Sequence, residues 1–173
     1  MENVFLGIGS NVGDRMHFLA EAVRKLRAIP TLRVMKISSV YVTEPVGVKD
    51  QNEYLNAVVS TQTSAGVTDF HLRIKSIEKE IGRVERERWG PREIDIDILL
   101  FGDRIISEAA ITIPHAEMVN RRFVLQPLAE ISPETVHPLL HKTVRDLLAE
   151  CKDSSVVECS AQLTQSFLTT LQE

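Results

Sequence analysis

This sequence has few cysteines, few aromatic residues and no long hydrophobic run. Its two cysteines, Cys151 and Cys159, lie close together near the end of the 173-residue chain, which excludes a fold built on a framework of disulfides. Aromatic residues make up only 5% of the chain and the formal net charge is −4, so a general surface for nucleic acid is not indicated. No apolar run approaches the ~20 residues that a membrane-spanning helix needs.

What the chain does have is the composition of an ordinary globular protein. Hydrophobic residues account for 43% and charged residues for 25%, and one domain covering residues 1–173 is expected from the length. The opening residues Met1-Glu2-Asn3 lack the basic segment and apolar core of a secretion signal. We therefore expect a cytoplasmic monomer with free thiols and with neither a nucleic-acid nor a membrane partner.

Hydrophobic periodicity predicts the order β-α-β-β-α-β. β-branched or alternating residues indicate strands, and apolar residues three and four positions apart indicate helices. The predicted elements are a strand at 4–9, a helix at 14–29, strands at 32–42 and 54–63, a helix between Ser64 and Gly82 as its caps, and a strand at 93–101. This order predicts an α+β, ferredoxin-like sandwich with an antiparallel sheet and helices on one face.

The remaining segments are predicted to be short elements. Gly102-Asp103 is expected to turn into a partner strand at 104–106, and short helices are expected near 117–130 and 143–150. The tail 152–173 is predicted to be an extension in which Leu163, Phe167, Leu168 and Leu171 form a docked helix.

The most informative segment alternates isoleucine and aspartate, as Ile94-Asp95-Ile96-Asp97-Ile98. A strand would point the isoleucines to one face and both carboxylates to the other, with the two Cα atoms roughly 6.6 Å apart. Such carboxylates repel each other unless a cation lies between them or one is protonated. Mg²⁺ commonly binds one or two carboxylates together with substrate phosphates. On the residues alone, the alternative is a solvated sheet face that binds no metal.

An arginine-rich segment comes just before these aspartates. Arg83, Arg86, Arg88 and Arg92 suit phosphate oxygens because guanidinium groups bind them with paired hydrogen bonds. The alternative is a solvated charged loop, although Trp89-Gly90-Pro91 within it is unusual for an inert one. Together with the aspartates, the arginines indicate metal-dependent transfer from a nucleoside triphosphate, and the residues alone lead no further.

Several segments, in order, resemble one enzyme family. They are Gly9-Ser10-Asn11, Ser38-Ser39-Val40-Tyr41, Thr43-Glu44-Pro45-Val46-Gly47, Tyr54-Leu55-Asn56-Ala57, Gly82-Arg83, the segment 88–99, Pro114-His115 and Asn120-Arg121-Arg122-Phe123. Their order and spacing, over roughly residues 4–149, are similar to those of 6-hydroxymethyl-7,8-dihydropterin pyrophosphokinases. The resemblance implies transfer of pyrophosphate from ATP to 6-hydroxymethyl-7,8-dihydropterin in folate biosynthesis.

The resemblance also implies roles for individual residues. Asp95 and Asp97 would hold two Mg²⁺ ions that bridge the ATP phosphates, and Arg83 and Arg92 would act with them in catalysis. The pterin would be bound by Thr43, Glu44, Val46, Tyr54, Asn56, Trp89 and Phe123. The ATP would be bound by Lys75, Glu78, Arg83, Arg86, Trp89, Arg92, Ile98, Thr112, His115 and Arg121.

Some of these residues could instead have purely structural roles, and two positions differ from the family pattern. Without the family, Tyr54 and Asn56 are a cross-strand aromatic and a surface amide, His115 is structural, and Lys75 with Glu78 is a surface ion pair. Glu85 stands where the family often has a second arginine, so Arg86 is the candidate for that task. Ala116 stands where many relatives have an aromatic residue.

Two other classes of function remain alternatives. A ferredoxin-like domain can bind RNA by stacking bases on sheet aromatics, but here Asp95 and Asp97 would repel phosphate. A pterin- or nucleotide-sensing protein is the second alternative, and such a protein would not need the metal pair.

Overall fold

The computed structural model describes residues 1–44, 51–84 and 90–172, which form a mixture of helices and antiparallel strands. The strands are β1 (Glu2–Ser10), β2 (Leu32–Ile37), β3 (Tyr41–Thr43), β4 (Tyr54–Thr63), β5 (Asp95–Phe101), β6 (Ile106–Ser107), β7 (Thr112–Ile113) and β8 (Val157–Cys159). The helices are α1 (Arg15–Arg27), α2 (Val67–Ile81), α3 (Arg122–Ile131), α4 (Val144–Glu150) and α5 (Ala161–Thr170), with a 3₁₀ turn at Met118–Asn120. None of these helices has the length and apolar character needed to cross a membrane.

Six strands form one antiparallel sheet. Its order is β5-β1-β4-β3-β8, and β2 pairs with β4 next to β3. The prediction of a single strand at 32–42 is wrong, because the strand is interrupted at Ser38, between β2 and β3. There the Ser38 N–H donates to Val58 O and the Val58 N–H donates to Ser38 Oγ, both at 2.9 Å. The serine hydroxyl thus replaces a main-chain acceptor, which interrupts the regular ladder.

Helices pack on both faces of the sheet, so the prediction of helices on one face only is wrong. On one face, α1 and α2 bury residues such as Leu19, Val23 and Ile74 against the sheet. On the other face, Leu125 and Leu128 of α3 pack against the sheet in a second cluster, and α4 packs against α3. The apolar stripe of α3 drives this packing, since burying its side chains removes them from water. The second face is therefore only partly open, and its open part lies beside the start of α3.

The ends of α1 and α2 match the predictions except at the start of α2. Asp14 accepts a 3.0 Å hydrogen bond from the His17 N–H and begins α1, as expected of an N-cap aspartate. Gly82 ends α2 with φ of +108°, a conformation that favours glycine. The predicted cap at Ser64 is wrong, because α2 begins after Gly66 without a side-chain cap. The N–H of Ser64 instead donates to Thr31 O.

The later segments only partly match the predictions. The short helices predicted near 117–130 and 143–150 are confirmed as α3 with its preceding turn and as α4. The predicted partner strand at 104–106 is wrong, because β6 lies one or two residues later and pairs with β7 rather than with β5. In the tail, α5 docks through the fully buried Phe167, and Arg24 of α1 donates to the carbonyl of Thr170. Strand β8, which the sequence did not predict, extends the sheet.

Candidate active site

The alternation of isoleucine and aspartate on β5 gives the strand two chemically different faces. Ile94, Ile96 and Ile98 are at most 6% exposed and belong to the core between the sheet and the helices α1 and α2. Asp95 and Asp97 point to the opposite face, where their partners on β1 are Gly9 and Gly7. Glycines carry no side chain, so the space above the neighbouring strand stays open. The two carboxylates therefore line a cleft.

Both guanidinium groups predicted to act in catalysis bind Asp95. Arg83 Nη1 lies 2.9 Å from Asp95 Oδ1, and Arg92 Nη1 lies 2.5 Å from Asp95 Oδ2. Arg83 extends from the end of α2, and its Nη1 also lies 2.5 Å from Glu78 Oε2. These ion pairs compensate the charge of Asp95.

Glu78 is a buried carboxylate behind the arginines. Its side chain is only 2% exposed, and Oε1 accepts a 2.7 Å hydrogen bond from the N–H of Ile96 on β5. Burial raises the pKa of Glu78, although Lys75 (Nζ to Oε2, 3.0 Å), the Ile96 N–H and Arg83 each oppose this effect. The alternative of a surface ion pair is therefore wrong. Glu78 ties α2, Arg83 and β5 together.

Asp97 lies in a different electrostatic environment from Asp95. Partial desolvation in the cleft, where 39% of the side chain stays exposed, raises the pKa of Asp97 above its ordinary value, and the nearby charge of Asp95 adds to this shift. The positive charges of Lys75 and Arg121, and that of His115 when it is protonated, oppose the shift. His115 Nε2 lies 3.9 Å from Asp97 Oδ2. A carboxylate that is disfavoured as an isolated anion gains stability when a cation binds it. Three residues that were predicted to bind ATP, His115, Lys75 and Arg121, thus lie close enough to act on the charge of Asp97.

A cavity of about 500 Å³ opens on this face, between the sheet and the start of α3. Its lining includes nine of the predicted site residues: Thr43, Glu44, Tyr54, Asn56, Arg92, Asp95, Asp97, Arg121 and Phe123. This volume falls within the range of small-molecule sites. The predicted pterin-binding and phosphate-binding residues therefore share one cavity.

Polar and aromatic groups are fixed in place around this cavity. Asn56 is 8% exposed, and its Nδ2 donates a 2.7 Å hydrogen bond to Thr43 Oγ1. Burial raises the pKa of Tyr54 on the same strand. Across the cavity, the guanidinium carbon of Arg121 lies 5.9 Å from the centre of the Phe123 ring, within the range of cation–π contacts. An amide and two aromatic rings are thus available to a flat, polar ligand.

Asn11 connects the loops at the edge of the cavity. Its Oδ1 accepts a 2.8 Å hydrogen bond from the Arg92 N–H, and its own N–H donates to Arg92 O at 3.1 Å. Its Nδ2 donates to Gln51 Oε1 at 3.0 Å. Asn11 is 1% exposed, so these bonds hold the main chain at Arg92 beside β1.

The remaining predicted residues lie at the edge of this arrangement or beyond it. Ile98 is a core residue of β5 and Thr112 is an exposed residue of β7, and neither lines the cavity. Val46, Arg86 and Trp89 fall outside the described residues. The predictions missed Glu117, Asn120 and Asp153, which also line the cavity. Asn120 was part of a recognised motif, whereas no sequence signal connects Asp153 with the site.

Known proteins are similar to this chain over most of its length. The chain is 43% identical over 150 residues to the 2-amino-4-hydroxy-6-hydroxymethyldihydropteridine pyrophosphokinase of Aquifex aeolicus, covering 87% of this chain and 92% of that protein. It is 42% identical over 156 residues to the protein of the same name from Methylorubrum extorquens, covering 90% of this chain and 98% of that one.

A solved structure supports the fold. A crystal structure of Plasmodium falciparum HPPK-DHPS matches with a TM-score of 0.68 at 18% identity, covering 87% of this chain; this chain spans 43% of that longer one. A family model described as 7,8-dihydro-6-hydroxymethylpterin-pyrophosphokinase (HPPK) matches residues 5–133. The chain therefore belongs to the 7,8-dihydro-6-hydroxymethylpterin-pyrophosphokinase family.

Proposed function

We propose that this protein transfers the pyrophosphoryl group of ATP to the hydroxymethyl oxygen of 6-hydroxymethyl-7,8-dihydropterin. The products are the pterin diphosphate, an intermediate of folate biosynthesis, and AMP. The observation that carries the proposal is that Asn56, Thr43 and Phe123 line the same cavity as Asp95 and Asp97. Membership of the family supports the same reaction.

The pterin is the ligand that fits the inner part of the cavity. Its flat ring carries an amide-like edge, and an asparagine side chain offers one acceptor and two donors that can match such an edge. Asn56 is already oriented by Thr43, with Nδ2 and Oγ1 2.7 Å apart. Tyr54 and Phe123 supply ring surface on the cavity wall. A polar site of this kind selects its ligand strongly, because a mismatched ligand leaves buried groups unpaired.

The carboxylates of Asp95 and Asp97 fit Mg²⁺ as two of its ligands. Within the ranges 1–44, 51–84 and 90–172, no group of three or more His, Cys, Asp or Glu side chains is arranged to hold a metal. The remaining ligands would then be ATP phosphate oxygens and water, as is usual for Mg²⁺. When bound, two Mg²⁺ ions would neutralise phosphate charge and align the attacking and leaving oxygens.

The arginines gain new partners when ATP binds. Arg83 and Arg92 bind Asp95, and phosphate oxygens are equally good partners for guanidinium groups. We infer that they move from Asp95 to the phosphates, which frees Asp95 for metal. Glu78 keeps Arg83 near the site, since their 2.5 Å contact does not involve Asp95.

The side chains contribute to catalysis chiefly through position and charge. Arg83, Arg92, His115 and Arg121 stabilise the charge of the transferred group, and the cavity holds the hydroxymethyl oxygen in line with it. Phosphoryl transfer leaves little covalent chemistry to the protein. The segment 83–92, with Trp89 and Arg86, is proposed to act as a lid that excludes water from the activated phosphate.

We also infer the topology of the core, the number of domains, the oligomeric state and the cellular location. The order β5-β1-β4-β2, with α1 and α2 as the connections, supports a ferredoxin-like core. A single domain over residues 1–173, acting as a cytoplasmic monomer, stays a prediction from the length, the composition and the resemblance.

The reaction can be tested by phosphorus NMR of the protein incubated with ATP, Mg²⁺ and 6-hydroxymethyl-7,8-dihydropterin. The proposal predicts AMP and a pterin diphosphate in equal amounts, and no product without the pterin. Formation of ADP would contradict it, since ADP indicates transfer of a single phosphoryl group. Tight binding of both substrates without any turnover would instead support the sensing alternative.

A further inference from the structure

Part of the cavity wall comes from a segment beyond the region that the family model matches. That model ends at residue 133, whereas Asp153 lines the cavity together with Arg121 and Phe123. The chain between α4 and β8 therefore returns to the site. Its contacts show what it does there.

Asp153 holds the start of α3. Its Oδ2 accepts a 2.8 Å hydrogen bond from the N–H of Arg122, the first residue of the helix, and its Oδ1 accepts a 2.9 Å hydrogen bond from the N–H of Ser155. Arg121, at the N-cap position, provides no side-chain cap of its own. A carboxylate that binds a free N–H at a helix N-terminus stabilises that end of the helix. Asp153 thus supplies from a distant part of the chain the cap that α3 lacks.

The charge state of Asp153 agrees with this arrangement. Burial alone raises the pKa of Asp153, but the N–H groups of Ser155 and Arg122 outweigh it and hold the pKa below the ordinary value. The side chain is therefore an anion at neutral pH, and its two oxygens accept these hydrogen bonds.

The same segment continues into β8, which holds the opposite wall of the cavity. Strand β8 pairs with β3, where Val157 lies opposite Thr43 and Cys159 opposite Tyr41. Thr43 in turn accepts the hydrogen bond from Asn56. A few residues of the tail therefore connect Phe123 on one side of the cavity with Thr43 on the other.

We propose that Asp153 is a positioning residue for the pterin, because it fixes the start of α3 at the distance from β3 that the ring requires. Phe123 is the second residue of α3, so a loosened first turn moves its ring out of place. The proposal rests on the proposed function, since it assumes that the pterin occupies this cavity. It predicts that Asp153 affects pterin binding more than ATP binding, because Arg83, Arg92 and His115 lie outside α3. Of the proposed phosphate partners, only Arg121 lies beside the first turn of that helix.

Calorimetric titrations can separate this role from a general loss of stability. Asp153→Ala should weaken binding of 6-hydroxymethylpterin by roughly tenfold, the typical effect of one lost charge-assisted hydrogen bond. Binding of α,β-methylene-ATP with Mg²⁺ should change by less than about twofold. Asp153→Asn should recover part of the loss, because its one amide oxygen can still accept from the Arg122 N–H and asparagine is a good helix cap. Amide exchange at Arg122 should be slow in the wild type and fast in Asp153→Ala.

Asp146→Ala is the matched control. Asp146 also bonds within the first turn of a helix, through Thr143 at the start of α4, but it is not among the residues that line the cavity. This variant should leave pterin binding unchanged.

The possible results have distinct meanings. No pterin binding by the wild type would overturn the proposed function itself. Normal pterin binding by Asp153→Ala would overturn only the positioning role. A loss in Asp153→Asn as large as that in Asp153→Ala would also overturn it, and so would rapid amide exchange at Arg122 in the wild-type protein.

Discussion

Gly9 makes room for the side chain of Asn56, and this contact allows a sharp test of the pterin site. The two residues lie opposite each other on β1 and β4. A Cβ atom added at Gly9 would lie 2.7 Å from Asn56 Oδ1, whereas ordinary van der Waals contact begins at 3.4 Å, a difference of 0.7 Å. Asn56 is buried and bonded to Thr43, so it has little freedom to move aside. Gly9→Ala should therefore displace the amide.

The size of the effect follows from the hydrogen bonds that are lost. Losing the match between a buried polar group and its partner costs about 1–3 kcal/mol. At about 2 kcal/mol, Gly9→Ala should weaken binding of 6-hydroxymethylpterin roughly thirtyfold. Asn56→Ala should have a similar effect. Because both changes act on the same amide, the double variant should also lose roughly thirtyfold, rather than the roughly thousandfold expected of independent sites.

Isothermal titration with 6-hydroxymethylpterin measures all four proteins of this cycle, and titration with α,β-methylene-ATP shows whether the nucleotide site is intact. Gly66→Ala is the control, since a Cβ there would meet nothing within 4 Å and Gly66 does not line the cavity. Its effect should be less than about threefold. Additive losses in the double variant, or an equal loss in Gly66→Ala, would refute the reasoning.

Three further predictions concern the metal ligands, an arginine and the tail. Asp95→Ala and Asp97→Ala should each reduce turnover by about a thousandfold, or about 4 kcal/mol of barrier, with little change in the urea midpoint; full turnover in both variants at ordinary Mg²⁺ would contradict the two-metal proposal. Without ATP, Arg92→Ala should strengthen the binding of Mn²⁺, a paramagnetic substitute for Mg²⁺, because Asp95 Oδ2 loses the guanidinium group that lies 2.5 Å away. An unchanged affinity for Mn²⁺ would count against the proposal that Arg92 leaves Asp95 when ATP and metal bind. Phe167→Ala should lower the free energy of unfolding by about 3–5 kcal/mol, whereas Leu168→Ala, at a side chain that is 41% exposed, should lower it by less than about 1 kcal/mol; equal losses in urea unfolding would argue against a docked α5.

The regular elements of the fold could be predicted because their sequence periods are strong. The apolar stripe of α1 and the alternation on β5 specify which faces are buried. One exception arose where a side chain replaces the main chain in a hydrogen bond. Ser38 does so between β2 and β3, and no residue pattern distinguishes such a serine from an ordinary one in a strand. The packing of α3 on the second face depends on tertiary contacts, which the local period does not encode.

Some residues of the candidate site could likewise be predicted from the sequence, and others could not. Residues close together in sequence, such as Asp95 and Asp97, could be placed on one face from the strand period alone. The burial of Glu78 under Arg83 could not, because a pair three residues apart on a helix looks like a surface ion pair until β5 covers it. Asp153 reaches α3 from about thirty residues away in sequence. Only the folded chain brings Asp153 to the cavity and Glu78 to Arg83 and β5 behind it.

The most direct test of the central claim, that one cavity serves both substrates, is a crystal structure of the protein with α,β-methylene-ATP, 6-hydroxymethylpterin and Mn²⁺. The account predicts the pterin ring beside Asn56 and Phe123, and anomalous density for two metal ions between the phosphates and the carboxylates of Asp95 and Asp97. A pterin bound elsewhere, or metal density away from both aspartates, would contradict it.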